Sequence, residues 1–404
     1  MKVLVSCYAC SPYKGSEPGM GWNFVKCLTR LHELHIITES KFKSDLDHYF
    51  KEHPDDKPFF HFYFIEKNSH KKLRKIWPPS YYWFYQAWQK KAYKLAVALD
   101  GKENFDIIHQ LNMVGFREPG YLWKLNKPFV WGPIGGFGIT PWIMLPSMGL
   151  KGLVYYFSRN IINLWQMYIS KRVRLAMKRA DALISATQEQ YGYIFNLYGR
   201  KSTIIPEVGL HVSGNVAVNI RKEDEPLRIC WVGQHTPGKA LNLLLRALAF
   251  RGRTDIELHV IGEGSETDKW KKLANSLGLH NIIWHGWVDK ESAHRIMKSC
   301  HLLCITSLKD LTSTVLLEGL SYALPAIALD HCGFSNVITE DCGRKIPIKS
   351  EKQVIHDLSS AISEIADDES LRQRLAEGAL RRAQQYNWGD KAKAITGIYE
   401  SVSI

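Results

Sequence analysis

Long apolar runs are missing from this chain. No stretch of its 404 residues approaches the roughly 20 apolar positions that a helix needs to cross a bilayer, which excludes a spanning helix. The opening MKVLVSCYAC carries no apolar leader ahead of what reads as a strand and loop, so the cytoplasm is the expected location, with a peripheral position at the inner face of the cell membrane also open. Cysteines are few and badly spaced for metal: Cys7 and Cys10 form one C-x-x-C, Cys300 and Cys304 lie four apart, and no second pair completes a zinc tetrad. Reduced, mostly buried thiols are expected, a redox pair at Cys7 and Cys10 is the alternative, and no metal site is assigned. A G-x-G-x-x-G fingerprint is lacking, which leaves a dinucleotide cofactor unsupported. The lone D-x-D, Asp45 to Asp47, falls in the polar, helix-like KSDLDHYFKEH, where its two acids point in different directions and read as a solvated face.

Acid is in deficit. Lysine and arginine number 53 against 40 acids, and the net charge of +13 implies an anionic partner: a phosphorylated ligand, an anionic membrane or nucleic acid. No acid separates Glu66 from Lys94, and there Lys67, Lys71, Lys72, Arg74, Lys75, Lys90, Lys91 and Lys94 alternate with Trp77, Tyr81, Trp83, Tyr85, Trp88 and Tyr93. Residues 141–178 repeat this mixture and read as a pair of helices. With 67–94 they form a candidate lipid-facing surface, against which stands a helical hairpin that buries its rings. Nucleic acid is not the favoured partner.

What is present is an alternation of short apolar strands and helix-like segments. A first series runs through 2–6, 34–38, 105–110, 128–134 and 181–186; residues 212–226 read as a linker; a second series runs through 227–232, 257–261, 282–284, 302–306 and 325–329. The length suits two domains of parallel sheet, each with its own core, and the loops after the strands gather along one edge of each sheet. Several of those loops are rich in glycine or cations. SPYKGSEPGMGW holds Gly15, Gly19 and Gly21, where backbone can approach a ligand ahead of a helix expected at 22–31. FDIIHQ ends near His109, with Arg117 following, and PFVWGPIGGFG brings Gly135 and Gly136. In the second series Gly233 and Gln234 precede Lys239; a glycine closing a strand and an ammonium beside it suit a diphosphate.

The organising stretch is 302–333, LLCITSLKDLTSTVLLEGLSYALPAIALDHCG. It reads as a strand, a polar loop, a helix over 313–323 begun by Thr312, Ser313 and Thr314, and a second strand after Pro325. Asp310 and Glu318 flank the turn, and at 1.5 Å rise per residue Glu318 lies roughly 7 Å along the helix, far enough for the two acids to grip separate parts of one long ligand.

Ser307, Asp310, Thr312, Ser313, Glu318, Gly319, Pro325 and Gly333, in that order, resemble the donor-binding segment of glycosyltransferase family 4, the retaining GT-B enzymes of bacterial polysaccharide synthesis. The family's Glu, seven residues, Glu becomes Asp310, seven residues, Glu318 here, and its arginine after the strand-end glycine becomes Gln234, which leaves His235 and Arg117 as candidates to make up the cation. The resemblance implies two facing Rossmann-like α/β domains: an acceptor-binding domain at 1–210, a nucleotide-sugar domain at 211–385, and a helix at 386–404 returning to the first. It also implies a metal-independent hexosyltransferase that uses a UDP- or GDP-linked sugar, needs no cofactor and serves a glycan or lipid-linked acceptor. Gly19, Gly21, Gly233, Gln234, Lys239, Gly262, Gly286, Val288, Thr312, Ser313, Thr314 and Glu318 would bind the donor; His109, Asp310 and Lys239 would act on the reacting sugar and its leaving group. A phosphorylase or nucleotide-sugar epimerase of the same fold is the alternative, a nucleic-acid-binding protein a more distant one.

Overall fold

The computed structural model describes residues 1–68, 80–211 and 216–403. The cations and rings from Lys71 to Pro79 and part of the expected linker lie outside the described residues. The chain divides into two compact units: Met1–Phe137, Trp165–Glu207 and Trp388–Ile404 form the first, and Gly138–Leu164 with Val208–Asn387 form the second.

The first unit is built on a parallel sheet of β1 (Lys2–Cys7), β2 (Glu33–Glu39), β3 (Phe60–Ile65), β4 (Ile107–Asn112), β5 (Phe129–Ile134), β6 (Ala182–Ser185) and β7 (Thr203–Ile204). Their spatial order is β3-β2-β1-β4-β5-β6-β7. Runs such as KVLVSC and IIHQLN are buried along almost their whole length, as strands covered on both faces must be, which is why they read as continuous apolar runs. The second unit holds β8 (Leu227–Val232), β9 (Ile256–Ile261), β10 (Ile282–Gly286), β11 (Leu302–Ile305), β12 (Ala326–Leu329) and β13 (Gly343–Ile346), ordered β10-β9-β8-β11-β12-β13. In each sheet the first strand lies between the second and the fourth, so the chain reverses direction there, and loops at such a switch point are where α/β sheets bind ligands.

The helix Trp388–Val402 belongs to the first unit. Trp388 packs edge-on against Phe24 at 5.0 Å, and His32 Nε2 meets Thr396 Oγ1 at 2.8 Å. The expected boundary at 1–210 differs from the observed division over Gly138–Leu164. Met144, Leu145, Met148 and Tyr156 join the core of the second unit. Gly238 has no room for a side chain beside Tyr156, whose Oη would lie 2.3 Å from a Cβ there.

All eight cysteines are free thiols, and all but Cys27 are buried. Asp45 lies on the helix Lys43–Glu52, paired with Lys14 at 2.7 Å and accepting from Ser11 at 2.6 Å.

Candidate functional site

Three strands of the second unit end in glycines that touch one another. Gly233 follows β8 and donates to Ile261 O at 3.0 Å; Gly262 follows β9 and donates to Gly286 O, at the end of β10, at 2.8 Å. Gly262 has φ +122°, and a Cβ there would lie 2.1 Å from Gly233 O, so only glycine fits. Gly286 has φ +68° and faces Glu263, whose Oε1 would lie 2.7 Å from an added Cβ. The strand ends thus present bare backbone.

Lys239 closes a tight turn, Pro237–Lys239, and Ala240 takes a left-handed φ of +47° before the helix Leu241–Arg251 begins. The turn directs its ammonium to Asp310 Oδ2 at 2.5 Å, both side chains staying about a quarter exposed. Asp310 is anchored in turn: its backbone N–H donates to Cys332 Sγ at 3.3 Å, and its Oδ1 accepts from Leu311 N at 3.0 Å. The two residues assigned separately to leaving group and sugar are therefore each other's partner here. Beside them the helix Thr314–Ser321 follows Ser313, whose hydroxyl makes no capping bond; the Leu316 N–H donates to Ser313 O at 3.1 Å, and no side chain caps the first turn. Thr312 is buried against Gly333.

Glu318 sits further along that helix, 15% exposed, with His294 Nε2 at 3.3 Å and Lys290 Nζ at 3.6 Å from its Oε1. Both side chains come from the helix Lys290–Ser299, capped by Asp289 directly after Val288. The sequence reading missed them; the signal was a lysine and a histidine four apart on one helix face behind an Asp cap. It also missed Lys309, whose ammonium donates to Gly138 O. His235 does not replace the absent arginine. Its ring is buried among Trp231, Trp270 and Trp284, Nδ1 meets Thr267 Oγ1 at 2.8 Å, and burial pushes it down to about 4, so it is neutral at pH 7.

In the first unit two expectations need correction. Gly19 and Gly21 are not in an open loop: the helix begins at Ser16, ahead of the expected 22, because Pro18 falls in its first turn, where proline is tolerated. Their bareness serves packing, since a Cβ on Gly21 would lie 2.2 Å from Ala9 O and one on Gly19 2.4 Å from Lys14 O. His109, the expected sugar contact, is wholly buried. Gly132 O can only accept, so Nε2 at 2.7 Å carries the proton and Nδ1 accepts from Tyr399 Oη at 2.5 Å. Desolvation holds the ring at about 4, and neither nitrogen is left for a ligand. Asn112 is likewise committed, bonding both N–H and C=O of Ala9.

The first unit has its own pocket, about 380 Å³, walled by Tyr82, Trp83, Phe116 and Trp165. Arg117 and Arg172 supply its polar floor, Arg117 held by Gln166 and Arg172 paired with Glu118 at 2.6 Å.

With this geometry in view, residues 216–382, within the second unit, match the model of the glycosyl transferases group 1 family. The whole chain has the GT-B fold. It resembles the apo lipopolysaccharide outer core galactosyltransferase WaaB with a TM-score of 0.66 over 98% of this chain and 99% of that one, at 16% identity. It resembles Anabaena HepE, solved in complex with UDP, with a TM-score of 0.63 over 99% and 100%, at 15% identity. Among curated relatives it is 27% identical, over 59% of its own length and 64% of the other's, to an N-acetylgalactosamine-N,N'-diacetylbacillosaminyl-diphospho-undecaprenol 4-alpha-N-acetylgalactosaminyltransferase of Campylobacter jejuni. The chain spans about half the length of the first curated relatives it matches, 51%, 44% and 57%.

Proposed function

We propose that this protein is a glycosyltransferase that moves a hexose from a nucleoside diphosphate sugar to a glycan or lipid-linked acceptor in cell-surface polysaccharide synthesis. The Lys239–Asp310 pair carries the reading. It joins a full cation to a full anion at the strand-end edge, within reach of solvent, beside bare glycine backbone and an uncapped helix N-terminus. A sugar diphosphate offers a substitute for each side of that pair: its phosphate oxygens take the ammonium and its sugar hydroxyls donate to the carboxylate. Lys239 and the first turn of Thr314–Ser321 then stabilise the diphosphate as it leaves, where negative charge accumulates. Glu318, held by His294 and Lys290, accepts from the ribose hydroxyls. Gly286 and Val288 border the base. We place a UDP-linked donor first, in line with the UDP complex of the HepE neighbour.

Retention of anomeric configuration, metal independence and the assignment of the acceptor to the first unit rest on the family 4 resemblance. The aromatic pocket over Arg117 and Arg172 suits a pyranose, with rings for its C–H face and guanidinium groups for its hydroxyls.

The acceptor's setting follows from the helix Gly149–Ile169. Gly152, Tyr156, Asn160, Asn163 and Met167 are buried on one side, while Leu150, Val154, Phe157, Ile161, Trp165 and Tyr168 form an exposed apolar stripe on the other. No acid occurs between Glu118 and Asp181, and the flanking Lys151, Arg159, Lys171 and Arg174 make an anionic lipid surface the fitting partner. No helix among the described residues is long and apolar enough to cross a membrane.

The test is thermal shift against UDP, GDP, ADP and CMP, followed by turnover of the stabilising nucleotide's sugar with an isolated lipid-linked glycan, in EDTA, with the product anomer read by NMR. No stabilisation by any nucleoside diphosphate removes the donor site. Release of free sugar phosphate without acceptor favours a phosphorylase. For the surface, sedimentation with vesicles containing anionic lipid is expected to carry down the protein but not a Phe157→Glu, Ile161→Glu variant.

A further inference from the structure

We propose that the first unit contains a site for a borderline divalent metal ion, of which Zn²⁺ is the type, formed by Glu33, His35 and His61. The sheet itself assembles it. Residues two apart on a strand share a face, so Glu33 and His35 project together from β2, and His35 is the direct register partner of His61 on β3. One ligand atom from each of the three lies within 4.8 Å of the others. His35 Nε2 is 3.1 Å from Glu33 Oε1, close to the separation of two ligands held about 2.0 Å from one zinc ion in a tetrahedron. The two imidazoles stack at 4.7 Å, 24° from parallel, so their edges reach the same side. Tyr63 Oη lies 2.9 Å from the other nitrogen of His35 and fixes the ring, the arrangement that outer partners give to metal-binding histidines.

The remaining charges leave room for a cation. Lys2, paired in register with Glu33, stands 3.6 Å from its carboxylate but 2.9 Å from Glu103, so it has an anion of its own when Glu33 turns to a metal. Glu33 and His61 are exposed, which gives an entry path.

The second unit supplies a contrast. Its second strand carries the same Glu-Leu-His, Glu257 to His259, and the neighbouring strand offers His285. There the groups stand in a row: Glu257 Oε1 is 2.8 Å from His259 Nε2, and His285 Nε2 is 3.0 Å from Nδ1, on the opposite side of the ring. In the first unit Tyr63 occupies that far side, and His61 converges with Glu33 instead.

Glu33 opens β2 and His61 is the second residue of β3, so this site falls at the N-terminal edge of the sheet, opposite the strand ends where Asn112 and the glycine turns lie. Its role is structural: it ties edge strand β3, whose outer backbone groups have no strand partner among the described residues, to β2. A metal that binds only the folded state raises stability with its concentration.

The experiment uses the full chain stripped with EDTA and gel-filtered. Zn²⁺ is added and bound metal is counted by mass spectrometry; Co²⁺ absorption reports the ligands, and thermal unfolding the coupling to the fold. The expected result is a single tight equivalent of Zn²⁺ and a raised Tm, with no shift in Mg²⁺. His61→Ala, at an exposed position, abolishes both; Glu33→Gln weakens them; Tyr63→Phe reduces affinity on the order of tenfold while keeping the three ligands. Equal uptake by wild type and His61→Ala, no uptake at all, or loss on His285→Ala in its place overturns the proposal.

Discussion

Polar residues along or just beyond the central strands stand in opposite states in the two units. In the first, His109 and Asn112 are wholly buried and bonded to backbone or to Tyr399. In the second, the side chains of Lys239, Asp310 and Glu318 are 26%, 21% and 15% exposed, and their ionic partners are one another or other side chains. Breaking a bond of the first kind strands a donor or acceptor away from water, which costs about 1–3 kcal/mol for each group. A bond of the second kind exchanges for a ligand oxygen at little net cost, because ligand and water both remain available. Groups that must let go of one partner to take another therefore belong in the second set, and groups that hold a strand still belong in the first.

Substitutions in the two sets test this division. The largest effect is expected for Lys239→Ala, a fall in kcat/KM on the order of 100- to 1000-fold with the donor sugar, by analogy with removal of one preorganised donor to a developing anion. Its Tm should change little, since Asp310 can be hydrated; a large loss of stability would place Lys239 with the structural set. His109→Ala is expected to behave inversely. It should destabilise the fold by about 3 kcal/mol in urea, through the cavity and the stranded Tyr399 hydroxyl and Gly132 carbonyl, while UDP affinity of the folded protein stays as it was. Glu318→Gln should weaken UDP binding about tenfold by calorimetry, as a charged acceptor becomes a neutral one.

The smallest effect concerns Lys391 in the first unit. It donates to Pro206 O at 2.8 Å, and burial pushes it down to about 7, against a lesser opposing pull from Glu207. An unfolded lysine titrates near 10.5, so between about pH 7 and that value the unfolded chain holds a proton that the folded one has released. Stability therefore rises with pH across that window. Urea midpoints at pH 7 and pH 9 should show the rise in the wild type and a flatter response in Lys391→Met.

Parallel strands and their order in sequence were legible because buried strands are short apolar runs bounded by turn residues, and the strand, loop, helix and strand of 302–333 were marked by Ser313 and Pro325. Less legible was the role of a polar residue in a strand. His109 reads the same on paper whether it faces a ligand or a tyrosine 290 residues away in sequence, and only the return of the helix Trp388–Val402 decides. Gly19 and Gly21 read as loop because Pro18 looks like a breaker, although a proline in a helix's first turn loses no hydrogen bond. Gly138–Leu164 moved to the second unit because of what Met144 and Tyr156 pack against, information that no local pattern holds.

By itself, then, the sequence determined two α/β series and a candidate donor segment, since period, turn chemistry and charge are properties of neighbours along the chain. Tertiary structure decided which of those polar groups stay exchangeable: the Lys239–Asp310 contact and the His109–Tyr399 contact each join residues far apart in sequence. Burial, which sets whether such a contact can be given up, is a property of everything folded around it.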